Sequence, residues 1–249
     1  MRLTSKLGGF EFIHGGFPYS AGVVAAPRHE IEHARFRRPL ALAEGFRAVG
    51  EHLTAKGRPK QALCAMELRS PRPFSFDGFR QFNAGYVEVL KEWDLLVDGN
   101  NPVARTNVAP EVGPPDVPSI YAFSYTMPAR EAPPSFVVAG GGEWPDGATK
   151  PEEVIRTGDT SPDAMKEKAR FVLGLMEKRL HDLGVSWREA ASTCMYTVHD
   201  LHSWIGSELL VRMGPAGGHG LTWHYSRPPI VTIEFEMDVR GVRRELVLG

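Results

Sequence analysis

The chain has 249 residues, of which 42% are hydrophobic, enough for one large or two small packed domains and too apolar for a disordered chain. Its 29 Lys and Arg nearly balance its 30 Asp and Glu, which excludes a global field for nucleic acid or an anionic membrane and leaves any recognition of charge local. Two cysteines, Cys64 and Cys194, no signal-peptide-like opening and no apolar run near the roughly 20 residues of a spanning helix lead us to expect a cytoplasmic protein with reduced thiols packed in its core.

The opening GFEFIHGG reads as a strand. Leu42, Phe46, Val49 and Leu53 then fall on one face of a helix that Gly57 can close. QALCAMELR is strand-like, and Phe79, Phe82, Tyr86, Val89 and Trp93 form a second amphipathic stretch. NPVARTNVAP, residues 101–110, has neither helical period nor clear alternation, and its prolines fix an extended backbone around Arg105. SIYAFSYTM is a further strand, followed by the proline-rich joint MPAREAPPS at 127–135. The pattern then repeats. SFVVAGGGEW opens; Met165, Ala169, Val172, Met176, Leu180 and Leu183 make a helical stripe that Thr160 or Ser161 can cap and Gly184 can end. AASTCMYTVHD is a strand; Trp204, Ile205, Leu209, Leu210 and Met213 form a second helical stretch; IVTIEFEMDV closes.

The halves therefore read as degenerate copies of one α+β unit, residues 1–129 and 130–249, each a mostly antiparallel sheet with two helices on one face. The other face of each sheet needs a cover, and a second sheet is the natural one. Copies should associate within a chain and between chains.

Several motifs carry less than they suggest. His199, His202, His219 and His224 include an H-x-x-H pair, but not on a helix and with no cysteine pair beside it, so no metal site is expected. GGGE at 140–143 lacks the lysine of a P-loop. The alternation in TIEFEMD puts Thr232, Glu234, Glu236 and Asp238 on one face; that row either faces solvent or supplies a carboxylate for acid–base work. Arg105 offers a planar fork that grips a carboxylate, which is either a small acid or a neighbouring Asp or Glu.

The order of these pieces resembles the RidA (YjgF-type) reactive-intermediate deaminase family. The second half carries the likeness in AMKEKARFVLGLMEKRLHDLGVSWREAASTCMYTVHDLHSW, and the first half in FNAGY and PVARTNV, similar to the family's N-x-x-Y and P-A-R-[ST] motifs. The resemblance implies tandem chorismate-mutase-like units, trimers or multiples of them, and a cofactor-free, metal-independent deaminase that hydrolyses an imine or enamine of a small carboxylic acid, of the 2-aminoacrylate or the 2-aminomuconate type. It implies that Arg105 clamps the substrate carboxylate and that Glu234, matched to a glutamate of the last long strand, positions water. Asn83, Thr106, Asn107 and Tyr19 would complete the cleft, with a backbone donor near Gly140. Asn107 departs from the cysteine common at that position, and Ala139 from a common serine. In the second copy the arginine position falls near His219 and the asparagine position near Glu208, and in the first copy the glutamate position falls near Tyr121, so only a composite of both copies has a full set. The rival readings are a non-catalytic metabolite-binding protein and a chorismate-processing enzyme of the same fold.

Overall fold

Two sheets pack face to face, and helices cover the outer side of each. The computed structural model describes residues 2–145, 148 and 150–249. In chain order the elements are β1 (Arg2–Ser5), β2 (Phe10–Ile13), β3 (Gly22–Ala25), β4 (His29–Ala41), α1 (Leu42–Ala55), β5 (Leu63–Arg69), α2 (Phe76–Glu92), β6 (Ala104–Pro110), β7 (Ser119–Pro128), β8 (Phe136–Gly142), α3 (Pro162–Leu183), β9 (Ser192–Tyr196), β10 (Thr222–His224), β11 (Ser226–Arg227), β12 (Glu236–Gly241) and β13 (Arg244–Leu248).

Among the described residues one sheet runs β1-β2-β3-β8-β12-β9-β10 and the other β11-β6-β5-β7-β4-β13. The outer strands cross the expected boundary at 129/130: β1 to β3 lie in the sheet built from the second half, and β11 and β13 in the sheet built from the first. Thus β3 pairs with β8, with Val23 opposite Val137, and β13 runs parallel to β4, with Leu246 opposite Ala34. The opening strand of the sequence therefore completes the neighbouring sheet.

The layers follow from the alternation of strands and the stripes of helices. Phe46, Val49 and Leu53 of α1, with Tyr86 and Leu90 of α2, bury against Leu63, Phe123 and Tyr125. Met165, Val172, Met176 and Leu180 of α3 bury against Val138, Phe235, Met237 and Val239. Between the sheets lie Phe10, Phe12, Val23, Ile31, Cys64, Ala104, Val137 and Ala139. Ser161 caps α3 by accepting from Ala164 N, and Gly184 ends it in the left-handed conformation at φ 74°. Cys64 and Cys194 are buried free thiols, and burial pushes Cys194 up to about 12, so both are held protonated.

The two helical complements differ. The first sheet has two full helices, whereas the stretch expected to give a second helix around Trp204 to Met213 forms a π-turn at 206–210 and a 3₁₀ turn at 214–219. Gly206, Gly214, Pro215, Gly217 and Gly218 explain this, since such residues oppose a regular helix. Leu209, Met213 and Ala216 still bury against the core. The strand expected from Ile230 begins only at Glu236, with a turn at 231–232 in front of it.

No helix among the described residues is long and apolar enough to cross a membrane.

Candidate active site

Arg105 leaves β6 towards α2 and is 2% exposed. Its guanidinium lies 5.0 Å from the ring centre of Tyr19 and 4.8 Å from that of Tyr86, aromatic faces that attract a cation. Nη2 donates to Asn83 Oδ1 at 2.7 Å, while Nε and Nη1 have no hydrogen-bond partner among the described residues. Leaving two guanidinium donors unbonded in a buried place is costly. Here they border a cavity of about 210 Å³ that Arg105 lines. Burial lowers the guanidinium pKa from its ordinary value, but an arginine stays cationic.

The cavity draws its wall from both halves. Tyr19, Phe79, Arg105 and Asn107 come from the first; Gly140 to Gly142, Trp144, Leu175, Arg179, Ile233 and Glu236 come from the second. It is thus composite within one chain.

Three of the expected residues act differently from the expectation. Asn83 does not line the cavity; it stands behind Arg105 and fixes it. Thr106 points the other way along the strand, donating to Asp238 Oδ2 at 2.8 Å and accepting from Gly140 N at 3.1 Å. That last bond uses the Gly140 amide, so Gly140 offers no backbone donor to a ligand. Its role is space: a Cβ at Gly140 would collide with Glu236 Oε1 and press on Thr106 Cα at 3.1 Å. Asn107 does line the cavity, with Oδ1 accepting from Ser70 Oγ at 3.0 Å and Nδ2 without a partner among the described residues.

Glu234 is also outside the cavity. It lies ahead of β12, its Oε2 is 2.9 Å from His199 Nε2, and its side chain is partly exposed. Among the described residues the acid that lines the cavity is Glu236, two residues on, 4% exposed. The physical reason lies in GGGE. Glu143, fully buried, accepts from Glu234 N at 2.7 Å and Phe235 N at 3.0 Å, and its Oε1 pairs with Lys168 Nζ at 3.1 Å. This holds residues 234–235 out of the sheet ladder, and the inward row of β12 starts at Glu236.

Burial, followed by the neighbouring Asp238, raises the Glu236 pKa well above the usual carboxylate range, with Arg105 and Arg179 opposing. Burial thus favours the neutral form of Glu236, which lines the same cavity as Arg105. Asp238 accepts from Tyr196 Oη at 2.7 Å as well as from Thr106, which ties the acid row to both sheets.

Arg179, Glu236 and Glu143 are absent from the expected set, yet α3 held a signal. Lys168 and Arg179 interrupt its apolar stripe, and both are buried. Arg179 Nη1 donates to Ala139 O at 2.9 Å and reaches Gly140 O at 3.4 Å.

A second cavity of about 250 Å³ is lined by His33, Tyr121, His224, Arg240 and others. Glu67 there is 2.8 Å from Arg240 Nη1 and 3.7 Å from His33 Nε2. The His33 distance admits an ion pair, but burial drives His33 towards the neutral form, so Arg240 answers the carboxylate. His219, at the expected arginine position, is exposed on the 3₁₀ turn; Glu208 pairs with Lys166 and Arg170 on the surface. His202 pairs with Asp200. Among the described residues no cluster of three or more His, Cys, Asp or Glu is placed to hold a metal ion.

Residues 2–246 match the family described as 2-aminomuconate deaminase CnbZ. The chain belongs to that CnbZ family. It is 49% identical over 244 residues to a 2-amino-5-chloromuconate deaminase of Comamonas testosteroni, across 97% of this chain and 96% of that protein. Among solved structures it is similar to a chorismatase, with TM-score 0.46, 10% identity and coverage of 96% of this chain and 78% of that one. A cyanuric acid hydrolase gives TM-score 0.41 and 11% identity over 88% of this chain and 70% of that one.

Proposed function

We propose that this protein hydrolytically deaminates a 2-aminomuconate-type acid, with Arg105 binding the carboxylate next to the amine-bearing carbon and Glu236 moving the protons. The observation that carries the reading is the buried pair itself: a cation with two donors that have no partner among the described residues and a carboxyl whose pKa burial raises line one cavity. The family and its chloromuconate-deaminating relative supply the substrate type. Proposed here too is the tandem of RidA-like units and the trimeric association that such units imply.

The steps balance without a redox change. Protonated Glu236 gives its proton to a carbon of the enamine system, and the C–N group becomes an iminium. The carboxylate so formed takes a proton from water as the water oxygen bonds to the iminium carbon. Glu236 then protonates the amine of this carbinolamine. The C–N bond breaks, ammonia leaves, and the hydroxyl proton returns to Glu236 as the carbonyl forms. One water is consumed, and one oxo acid and one ammonia result. Arg105 and Asn107 Nδ2 hold the carboxylate end still, and the aromatic lining keeps other water away.

The test is ammonia release and loss of conjugated-amine absorbance with 2-aminomuconate generated in situ, for wild type, Arg105→Met, Glu236→Gln and Glu234→Gln. We expect turnover by wild type and Glu234→Gln, and losses of about 100-fold or more for the other two. No turnover of 2-aminomuconate or its 5-chloro analogue by wild type would end the deaminase reading. Full activity in Glu236→Gln would remove the assigned acid.

A further inference from the structure

Lys168 and Glu143 form an ion pair with both side chains fully buried, and the chemistry above makes no use of it. Ions in a core are costly to desolvate, and an apolar pair of similar volume fills the same space without that cost. What apolar side chains cannot do is accept hydrogen bonds. Glu143 Oε1 accepts from Glu234 N at 2.7 Å and from Lys168 Nζ at 3.1 Å, and Oε2 accepts from Phe235 N at 3.0 Å. Both oxygens thus act as acceptors, the arrangement of an ionised carboxyl; burial pushes its pKa up, and Lys168 and the Glu234 amide oppose that. The pinned amides stand directly ahead of the first rung of β12, where Glu236 lies opposite Gly142 of β8 and Tyr196 of β9. Thr197 Oγ1 grips the other side of the same turn, donating to Glu234 O at 2.7 Å. Lys168 ties the pin to α3, which two turns later contributes Leu175 to the cavity wall. The entry of β12 is therefore fixed by α3 and by the residues that follow β8 and β9.

We propose that Glu143 and Lys168 are positioning residues for Glu236: the pair sets where β12 begins, so that Glu236 and not Glu234 enters the cavity. This rests on the deaminase reading for the part Glu236 plays, whereas its placement is a property of the resting protein. Side chains alternate along a strand, so Glu234 shares the parity of Glu236, and a strand begun two residues sooner would aim both acids inward. Freed of the carboxylate, the amides of 234 and 235 need new acceptors, and the sheet ladder is the nearest source of them. Glu236 then loses its fixed approach to the cavity. Lys168 keeps the carboxyl of Glu143 charged and in place for both amides.

The experiment compares wild type with two double variants. Lys168→Met with Glu143→Leu removes both charges and every acceptor, and Lys168→Met with Glu143→Gln keeps one carbonyl acceptor for an amide. Thermal unfolding checks folding, crystal structures locate Glu236, and calorimetry follows sorbate, an unreactive six-carbon diene monoacid that Arg105 can hold. In the leucine variant Glu236 should leave its wild-type place and kcat on 2-aminomuconate should fall about 100-fold. Sorbate affinity should stay within about 3-fold, less than the loss of one hydrogen bond to a charged ligand. The glutamine variant should recover about 10-fold of the lost kcat through the amide it still holds. A folded leucine variant with Glu236 in place, or with kcat unchanged, would overturn the proposal. So would an equal loss of kcat and of sorbate binding, which would mark the pair as holding the whole cavity rather than Glu236. If the leucine variant does not fold, the glutamine variant is judged by the same measures. If wild type does not turn over 2-aminomuconate, the deaminase reading fails, and the crystal structures alone decide whether the pair places Glu236.

Discussion

Asn83 Oδ1 accepts a 2.7 Å hydrogen bond from Arg105 Nη2, so a helix residue outside the cavity sets the direction of the cation inside it. The bond engages one edge of the fork, and Nε and Nη1 have no partner among the described residues. Asn83→Leu removes the acceptor and leaves a third donor unanswered. The expected outcome is a KM raised about 10-fold or more with a smaller change in kcat, because the carboxylate end is held less well while Glu236 is untouched. Steady-state kinetics on 2-aminomuconate check this, and Asn83→Asp, which keeps an acceptor, should recover most of the KM.

Glu236→Gln should separate activity from stability. A carboxyl whose pKa is raised on folding binds more protons folded than unfolded above its ordinary value of 4.5, so wild-type stability falls as pH rises through that value towards the raised one. Glutamine carries no such penalty. The variant should therefore match or exceed wild type in Tm at pH 8 while losing turnover. In wild type, kcat should fall as pH rises through the raised pKa, because the first step needs the protonated acid. A variant less stable than wild type at pH 8, or a kcat that rises steadily through the alkaline range, would show that Glu236 is ionised in the fold.

Gly140→Ala tests the space between the acid and β6. The new methyl would collide with Glu236 Oε1, the movable end of a side chain, and crowd the fixed Thr106 Cα. Glu236 must swing away. We expect kcat/KM to fall by about 100-fold, with a loss of stability of about 1 to 3 kcal/mol from the crowding. A crystal structure of the variant with Glu236 unmoved and activity intact would contradict the role given to this glycine.

Much of the scaffold was readable in the sequence because the signals were local. The stripe from Met165 to Leu183, with a capping serine and an αL glycine, describes α3, and Leu42, Phe46, Val49 and Leu53 lie along α1. What was not readable depends on distant partners. GFEFIHGG looks like the first strand of its own half, yet Phe12 pairs with Val23 and the resulting ribbon joins the other sheet through Val23 and Val137. Periodicity says that such a strand is half-buried but not against which neighbour. Glu234 stands outside the cavity for a similar reason. Its parity with Glu236 is right, but Glu143, some 90 positions earlier, takes the amides of residues 234 and 235 and delays the strand. Arg105, which lines the cavity, stands in a motif, whereas Arg179, also in its wall, could have been noticed as a cation that interrupts an apolar helix face.

The second cavity gives a prediction about pH. His224 stacks on Tyr196, with ring centres 4.8 Å apart and planes at 16°, and burial, helped by Arg69, lowers its pKa from 6.5 to about 4. His33 moves in the same direction through its own burial. The unfolded chain protonates both near 6.5, whereas the folded chain does not, so the stability they contribute is fully present above about 6.5 and drains away as pH falls towards about 4. The charged groups facing them are Glu67, Arg35, Arg69, Arg240 and Glu245; Glu67, held low mainly by Arg240, loses its stabilising ionised form only at still lower pH. Chemical denaturation at pH 7.5 and 5 should show a loss of about 1 to 2 kcal/mol in wild type, allowing for the water that reaches the half-buried His224 ring. His224→Gln should reduce that loss, since the amide has no proton to gain. An unchanged slope in this variant would mean that His224 titrates alike in the folded and unfolded chain, and the acid sensitivity would then have to come from His33 and the carboxylates around Arg240.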